Sequence, residues 1–444
     1  MKIHVKGGRL IDPSAGTDKV GDLFLADQRI AGIGVAPAGF AADRVVDATG
    51  LVVCPALVDL SARLREPGFE YKATLESEMQ AAVAGGIASL VCPPDTDPPL
   101  DEPGLVEMLK FRARSLKQAR VFPLGALTQG LKGERLTEMA VLHGAGCVAF
   151  SQADAPISDK QVLMRALEYA TTFGFAVWLR PDDATLSRGG VAHDGEVATR
   201  LGLSAIPACA ETIALSAILI LARETGARVH LCRLSTAESV AMVREAKRDG
   251  MQVSCDVSVY HVHLSEQDIG YFDANCNFVP PLRSVQDRAA IRAGLADGTI
   301  DVICSDHTPV DEDAKQLPFG EAEPGATGLE LLLPLTLRWA QQEGISLAHS
   351  LARVTTAPLR VLGLAGGSLA AGAPADLCIF DPQSRWTVVS AALMSQGKNT
   401  PLLGHEVQGK VRYTLVDGVV VFDAVSEKSA LEKSAAHHHH SKVG

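Results

Sequence analysis

What this chain lacks narrows its function first. Its longest apolar runs, such as Ile213 to Ala222, fall short of the roughly 20 residues that a bilayer crossing needs. The segment that follows Met1, Lys-Ile-His-Val-Lys-Gly-Gly, has none of the apolar stretch of a secretory leader, so a soluble, cytoplasmic protein is expected. No Cys-x-x-Cys pair occurs among the nine cysteines, an odd and scattered set. Cys92, Cys232, Cys255 and Cys304 fall in apolar, strand-like runs and read as reduced core residues. No Lys/Arg-rich run is present and the formal net charge is -11, which argues against a polyanion and sets nucleic acid aside as a partner. Neither the full Gly-x-x-x-x-Gly-Lys-Ser/Thr nor Gly-x-Gly-x-x-Gly appears, so no phosphate-cradling loop is indicated.

What is present points to a large enzyme-like fold. At 444 residues, 47% hydrophobic and 21% charged, the chain can bury a large core, and one large domain plus a smaller one fits. The first fifty residues hold short β-type runs broken by turns: Ile3 to Val5, Gly7 to Asp12, Asp22 to Leu25 and Arg29 to Ile33. A matching set returns in Ala375 to Phe380 and Val411 to Val421, so both ends are expected to share one small β domain, sandwich-like, from 1-53 with 365-424. From about Val425 the chain reads Ser-Glu-Lys-Ser-Ala-Leu-Glu-Lys-Ser-Ala-Ala before His437 to His440. Residues 425-444 have the look of a purification tail and are excluded from fold and metal arguments.

Between the ends, 54-364 is periodic. Eight apolar runs follow one another, each trailed by a polar loop and a helical pattern: Val52 to Val58, Ser89 to Cys92, Val121 to Leu124, Cys147 to Phe150, Phe175 to Leu179, Val229 to Cys232, Val253 to Val257 and Val302 to Cys304. That count and alternation predict an α/β fold, a (β/α)8 barrel, whose buried parallel strands are apolar along their length. Chemistry in such barrels sits at the C-terminal strand ends.

Those strand ends carry a resemblance. Leu64-Arg65-Glu66-Pro67-Gly68, Pro94-Asp95-Thr96-Asp97-Pro98, Gly189-Gly190, Leu201-Gly202-Leu203, Ile206-Pro207, Ser235-Thr236, Pro280-Pro281-Leu282-Arg283 and Ser305-Asp306-His307-Thr308-Pro309 stand where dihydroorotases of the amidohydrolase superfamily have similar stretches. The chain resembles that family over nearly its whole length. The resemblance implies the amidohydrolase type of barrel, a cyclic-amide hydrolase reaction and zinc held by six strand-end positions. Carried over motif by motif, those positions are nearly all replaced. The His-x-His pair after the first strand is Ser61 and Arg63; the bridging carboxylate or modified lysine after the fourth falls on Gln152 and Ala153, with Asp154 one step too far. Arg180 and Arg233 replace histidines after the fifth and sixth strands, and only Asp306 keeps its type.

In an active relative Asp306 would bind metal and take a proton from a metal-bound water. Serine is a poor ligand and arginine, always protonated, is none, so the zinc site and the family reaction are expected to be lost. The substrate side is mixed as well. Arg65 matches a substrate-carboxylate contact, but Asp95 and Val279 stand where the family has asparagines, and Phe319 to Glu330 departs from its pattern.

Several readings compete at this site. Arg63, Arg180, Arg233 and Arg65 converge on the space of two metal ions, with Asp306 the obvious counter-ion. An internal salt-bridge network with Asp306, Asp182 and Asp154 is favoured over a pocket for a carboxylate or phosphate. A relocated metal site on His261 and His263, two apart on what reads as an extended segment, is a weaker alternative. His230, inside a strand run, reads as a hydrogen-bonded core histidine. Ser305-Asp306-His307 is weaker still as a nucleophilic triad, because adjacent residues on one strand end cannot all face each other.

The resemblance is closest in kind to inactive dihydroorotase-like subunits that assemble with the catalytic subunit of aspartate carbamoyltransferase in bacterial pyrimidine synthesis. It implies a structural, non-catalytic role, with homo-oligomer contacts. An active cyclic-amide hydrolase with an atypical metal site is the alternative.

Overall fold

The computed structural model describes residues 1–425, so the expected tail beyond Val425 lies outside the described residues. Its centre is a barrel of eight parallel strands in chain order: β1 (Leu57–Asp59), β2 (Ile87–Cys92), β3 (Arg120–Ala126), β4 (Ala149–Ser151), β5 (Ala176–Leu179), β6 (Arg228–Leu231), β7 (Val253–Ser258) and β8 (Val302–Cys304). Nearly every residue of these strands is buried, which is why they read as continuous apolar runs instead of alternating ones. Inward residues Val58, Leu60, Val91, Leu124, Trp178 and Val302 fill the lumen as one cluster, so the barrel is a packed core with its chemistry left to the mouth.

The seam between β8 and β1 is closed at both ends by chain segments outside the strands. At the mouth Ala62 bridges His307, with Arg63 N–H donating to His307 O at 2.9 Å and His307 N–H to Ser61 O at 3.0 Å. At the base, Val58 N–H donates to Val354 O and Ile303 N–H to Arg353 O. The helix Leu75–Ala84, started by a Thr74–Ser77 capping box, delivers Glu78 to His307 at the upper seam. Gly328 lies against the same place, and a side chain there would meet Ser305 O at 2.4 Å.

The chain ends build one hydrogen-bonded mixed sheet from Ile3–Asp12, Thr17–Ala26, Arg29–Ile33, Arg44–Asp47 and Val52–Pro55 together with Leu377–Thr387, Glu406–Val416 and Val419–Asp423. Its register alternates two cores. Val53, Leu377 and Ile379 point into the sheet's own cluster, while Val52, Cys54, Cys378 and Phe380 pack against the barrel, as the period of two requires.

This corrects the first expected strand. Val52 to Val58 is not one barrel strand: Val52–Pro55 pairs antiparallel with Leu377 to Phe380 in the end sheet, and only Leu57–Asp59 enters the barrel. Both halves are buried, so the apolar run carries no sign of the handover at Pro55-Ala56.

Candidate functional site

The strand ends gather four of the expected residues in unusual backbone. Arg65 (φ 64°), Ala153 (φ 49°), Arg233 (φ 53°) and Asp306 (φ 50°) all adopt the left-handed region, which costs a non-glycine residue about 1–2 kcal/mol. At Ala153 the consequence is direct. Its left-handed turn, held by Ser151 Oγ accepting from Ala153 N–H at 3.0 Å, swings the next residue into the mouth.

Asp154 is therefore the hub that linear counting placed one step too far. Its Oδ2 accepts from Arg63 Nη2 at 2.6 Å and its Oδ1 from Arg180 Nε at 2.8 Å; Oδ1 also takes a close contact from Arg233 Nη2. Asp95 takes Arg63 Nε at 2.8 Å, Asp182 takes Arg180 Nη2 at 3.1 Å, and Asp306 takes Arg233 Nη1 at 3.1 Å. Arg63, Arg180 and Arg233 are 5–7% exposed at the side chain, so each is a buried cation that needs these partners.

Asp306 is a secondary counter-ion, not the central one expected. It accepts one hydrogen bond from Arg233 and lies 3.8 Å from Arg63. Burial raises its pKa, only partly offset by Arg233 and Arg63. Asp154 behaves oppositely: burial opposes ionisation, but Arg233, Arg63 and Arg180 together hold its carboxyl well below the usual range. Burial likewise works against Arg63 and Arg233, yet the surrounding carboxylates carry both above the ordinary arginine value.

The remaining expected residues are placed as follows. Gln152 turns to Thr128, exchanging hydrogen bonds of 3.0 and 2.8 Å. Ser61 serves through its carbonyl, accepting from His307 N–H. Val279, lacking a polar side chain, offers its carbonyl to Arg233 Nη1 at 3.1 Å. Arg65 does not join the other three arginines: its Nε donates to Pro309 O at 2.8 Å, and its Nη2 faces Glu323 at 3.8 Å. Lys72 pairs with the same carboxylate. Sequence reasoning passed over Lys72 and Glu323; the one trace of Glu323 was the departure of the Phe319 to Glu330 segment, and nothing marked Lys72.

The His261/His263 alternative is overturned. Both lie on the short helix Val259–His263, where residues two apart diverge. His261 Nε2 meets Pro280 O and Pro281 O at 3.1 and 3.2 Å, and His263 Nε2 meets Leu335 O at 2.8 Å. Burial pushes their pKa values down to about 4 and about 3.

His230 is buried as expected, with Nδ1 2.8 Å from Ser254 Oγ and Nε2 3.0 Å from Asp256 Oδ2. With Cys232 these groups form a cluster whose donor atoms lie within 4.8 Å of one another. Both ring nitrogens are already engaged, and Asp256 Oδ1 accepts from Arg233 N–H at 2.6 Å. At the family's own positions the donor set does not fit a divalent cation. Guanidinium groups cannot ligate, and the one suitable carboxylate, Asp306, is bonded to Arg233, whereas catalytic zinc normally takes three protein ligands.

Two family patterns match the chain: a dihydro-orotase-like pattern over residues 50–239 and the amidohydrolase family pattern over residues 188–421. A dihydroorotase-like protein of Pseudomonas aeruginosa is 44% identical over 418 residues, covering 94% of this chain and 99% of that protein. The chain belongs to the dihydroorotase-like family of the amidohydrolase superfamily. A protein named dihydroorotase from Geotalea daltonii is 40% identical over 421 residues, 95% of this chain and 99% of its own. Among solved structures, the L-hydantoinase of Arthrobacter aurescens superposes with a TM-score of 0.85 at 23% identity, covering 95% of this chain and 96% of that one. That likeness bears out the amidohydrolase-type barrel. The names within the dihydroorotase-like family divide between dihydroorotase and dihydroorotase-like protein, so this site has to be read on its own residues.

Proposed function

We propose that this dihydroorotase-like chain is a non-catalytic member of its family, a structural subunit that assembles with the catalytic subunit of aspartate carbamoyltransferase in pyrimidine synthesis. One observation carries the loss of catalysis: Arg63, Arg180 and Arg233 meet on Asp154 in the space where the reaction would need its cation. The resemblance of the sequence carries the assembly role. A buried, mutually neutralised network rigidifies the mouth without offering a nucleophile or an electrophile, which suits a barrel kept as architecture. Among the described residues no helix is long and apolar enough to cross a membrane, and a cytoplasmic location is part of the proposal.

The test mixes the tag-free chain with the transcarbamoylase catalytic subunit and follows co-elution and carbamoyl transfer, alongside dihydroorotate hydrolysis by the chain alone. Co-elution with altered transferase activity and no hydrolysis is the expected result. Separate elution with unchanged transferase activity removes the assembly role; chelator-sensitive hydrolysis at enzyme-like rates removes the loss of catalysis. A second reading, hydrolysis with a metal on His230, Cys232 and Asp256, draws on the donor chemistry of that cluster; Cys232→Ala would then abolish both zinc uptake and turnover.

A further inference from the structure

The end of the barrel opposite the mouth holds a cleft that the charge network does not touch. It lies where β3 and β4 begin, between the last turns of the helix Pro103–Leu116 and the strands Glu406–Val416 and Val419–Asp423. Its volume of about 560 Å³ falls within the roughly 300–1,000 Å³ of small-molecule sites. The lining is mostly hydrocarbon, supplied by Ala113, Val121, Phe122, Val148, Val419 and Val421. None of these side chains can hydrogen-bond a ligand along its length.

The polar groups of the cleft are of one sign. Arg120 is neutralised by Asp376, at 2.7 Å, and by Asp417. Lys110, Arg114 and Lys117 line the same cleft, and among the described residues none of the three has an ion-pair partner. Arg114 and Lys117 are exposed and Lys110 is half-buried. On a chain of formal net charge -11, this is a local excess of cations beside an apolar cleft.

Helix ends explain how these cations stand without carboxylates. Lys117 is the left-handed cap (φ 52°) of the helix Pro103–Leu116. Lys110 reaches across to Gly146, the left-handed cap (φ 113°) of the helix Met139–Ala145, where any side chain at 146 would collide with its ammonium. Cations are favoured at helix C-termini, so their charge stays available to a ligand. Gln118 adds an unanswered group: its Oε1 lies buried at the cleft without a hydrogen-bond partner. A half-turn of that amide puts the Nε2 donor in the same place.

We propose that this cleft binds a single-chain aliphatic anion of the fatty-acid type, its chain along the valines and its carboxylate among Lys110, Arg114 and Lys117. The ligand class follows from the lining. A nucleotide base or a sugar would leave its polar edges unanswered against hydrocarbon, whereas an alkyl chain asks only for apolar contact. Barrel and sheet wall the cleft on two sides, which fits one chain and not a bilayer surface. The inference is independent of the proposed assembly role, because the site lies at the other end of the barrel and its readout is binding.

The experiment is titration calorimetry of the full chain with sodium decanoate below its micelle threshold, with sodium acetate and decyltrimethylammonium as controls. Saturable binding of one decanoate per chain is expected, with no binding of acetate, which lacks the chain, or of decyltrimethylammonium, which has the wrong charge. Octanoate is expected to bind about tenfold more weakly, since each buried methylene contributes roughly a three- to fourfold gain. Arg114→Gln with Lys117→Asn removes two exposed charges while asparagine tolerates the left-handed cap, and at least a tenfold loss is expected. Val419→Trp, at a half-exposed position, is expected to block the cleft and abolish binding with the thermal midpoint little changed. Equal binding of decanoate and decyltrimethylammonium, no saturable binding of decanoate, or binding unchanged in either variant would overturn the proposal.

Discussion

At the barrel mouth, guanidinium and carboxylate groups neutralise one another; one residue away, at the seam between β8 and β1, acids are held by hydroxyl, amide and imidazole donors. Ser305, Asp306 and His307 are consecutive and serve both regions. Asp306 faces Arg233, while Ser305 donates from its N–H and Oγ to Asp59 and His307 Nε2 meets Glu78. Because Gly328 N–H can only donate, to His307 Nδ1 at 3.0 Å, the proton of a neutral imidazole lies on Nε2 and points to Glu78. Glu78 also accepts from Ser395 Oγ at 2.6 Å and Gln396 N–H at 2.9 Å. The contrast separates two demands on one strand end. Closing the barrel takes short, fully satisfied hydrogen bonds, whereas filling the mouth takes long cations that are stable only as a set.

Breaking the set should therefore cost most. Asp154→Ala leaves three buried arginines without their shared acceptor, and unfolding by urea is expected to show a loss of about 3–5 kcal/mol; a loss under 1 kcal/mol would mean the arginines relax into solvent. Glu78→Gln keeps the shape at the seam but weakens its accepted bonds, with an expected cost of about 1–3 kcal/mol in the same assay.

Each region holds acids of opposite pH response: Asp306 raised and Asp154 lowered at the mouth, Asp59 raised and Glu78 lowered at the seam. Burial raises Asp59 to about 7 against the Ser305 bonds, and it raises Glu330 to about 7 against the Met394 and Ser395 amides. These acids are protonated in the folded chain and ionised in the unfolded one between roughly pH 4 and pH 7. Their contribution is full below that window and falls as pH rises through it, by about 1.4 kcal/mol per pH unit for each group. Asp154, held low, contributes above about pH 4 and loses its contribution as pH falls further. Asp59→Asn should flatten the decline between pH 4 and pH 7 in urea midpoints; an unchanged slope would remove Asp59 as its source. The smallest expected effect is on metal uptake. Ser61→His with Arg63→His should leave zinc content unchanged, because Arg180 and Arg233 still occupy the cavity, and measurable uptake by this double variant would show that they do not.

The barrel was legible because its strands are buried on both faces and each is followed by a helix, so apolar runs alone marked them. The same burial hid the split at Pro55, where two apolar strands of different sheets join end to end. Cys92, Cys255 and Cys304 are buried free thiols and Cys232 is half-buried, as their apolar surroundings implied. In the site, residue type was readable and direction was not. A left-handed Ala153 decided that Asp154, not Gln152 or Ala153, enters the mouth. A single helical turn decided that His261 and His263 diverge. Arg65 left its expected group because Glu323, distant in sequence, lies within reach.

The central claim is that the arginine–aspartate set fills the metal positions. Zinc stoichiometry of the tag-free chain, after dialysis against excess zinc and then against buffer, tests it most directly. Zinc well below one equivalent per chain, and indifferent to Asp306→Ala, is the expected result. About one tightly held zinc per chain that disappears in Asp306→Ala would contradict it.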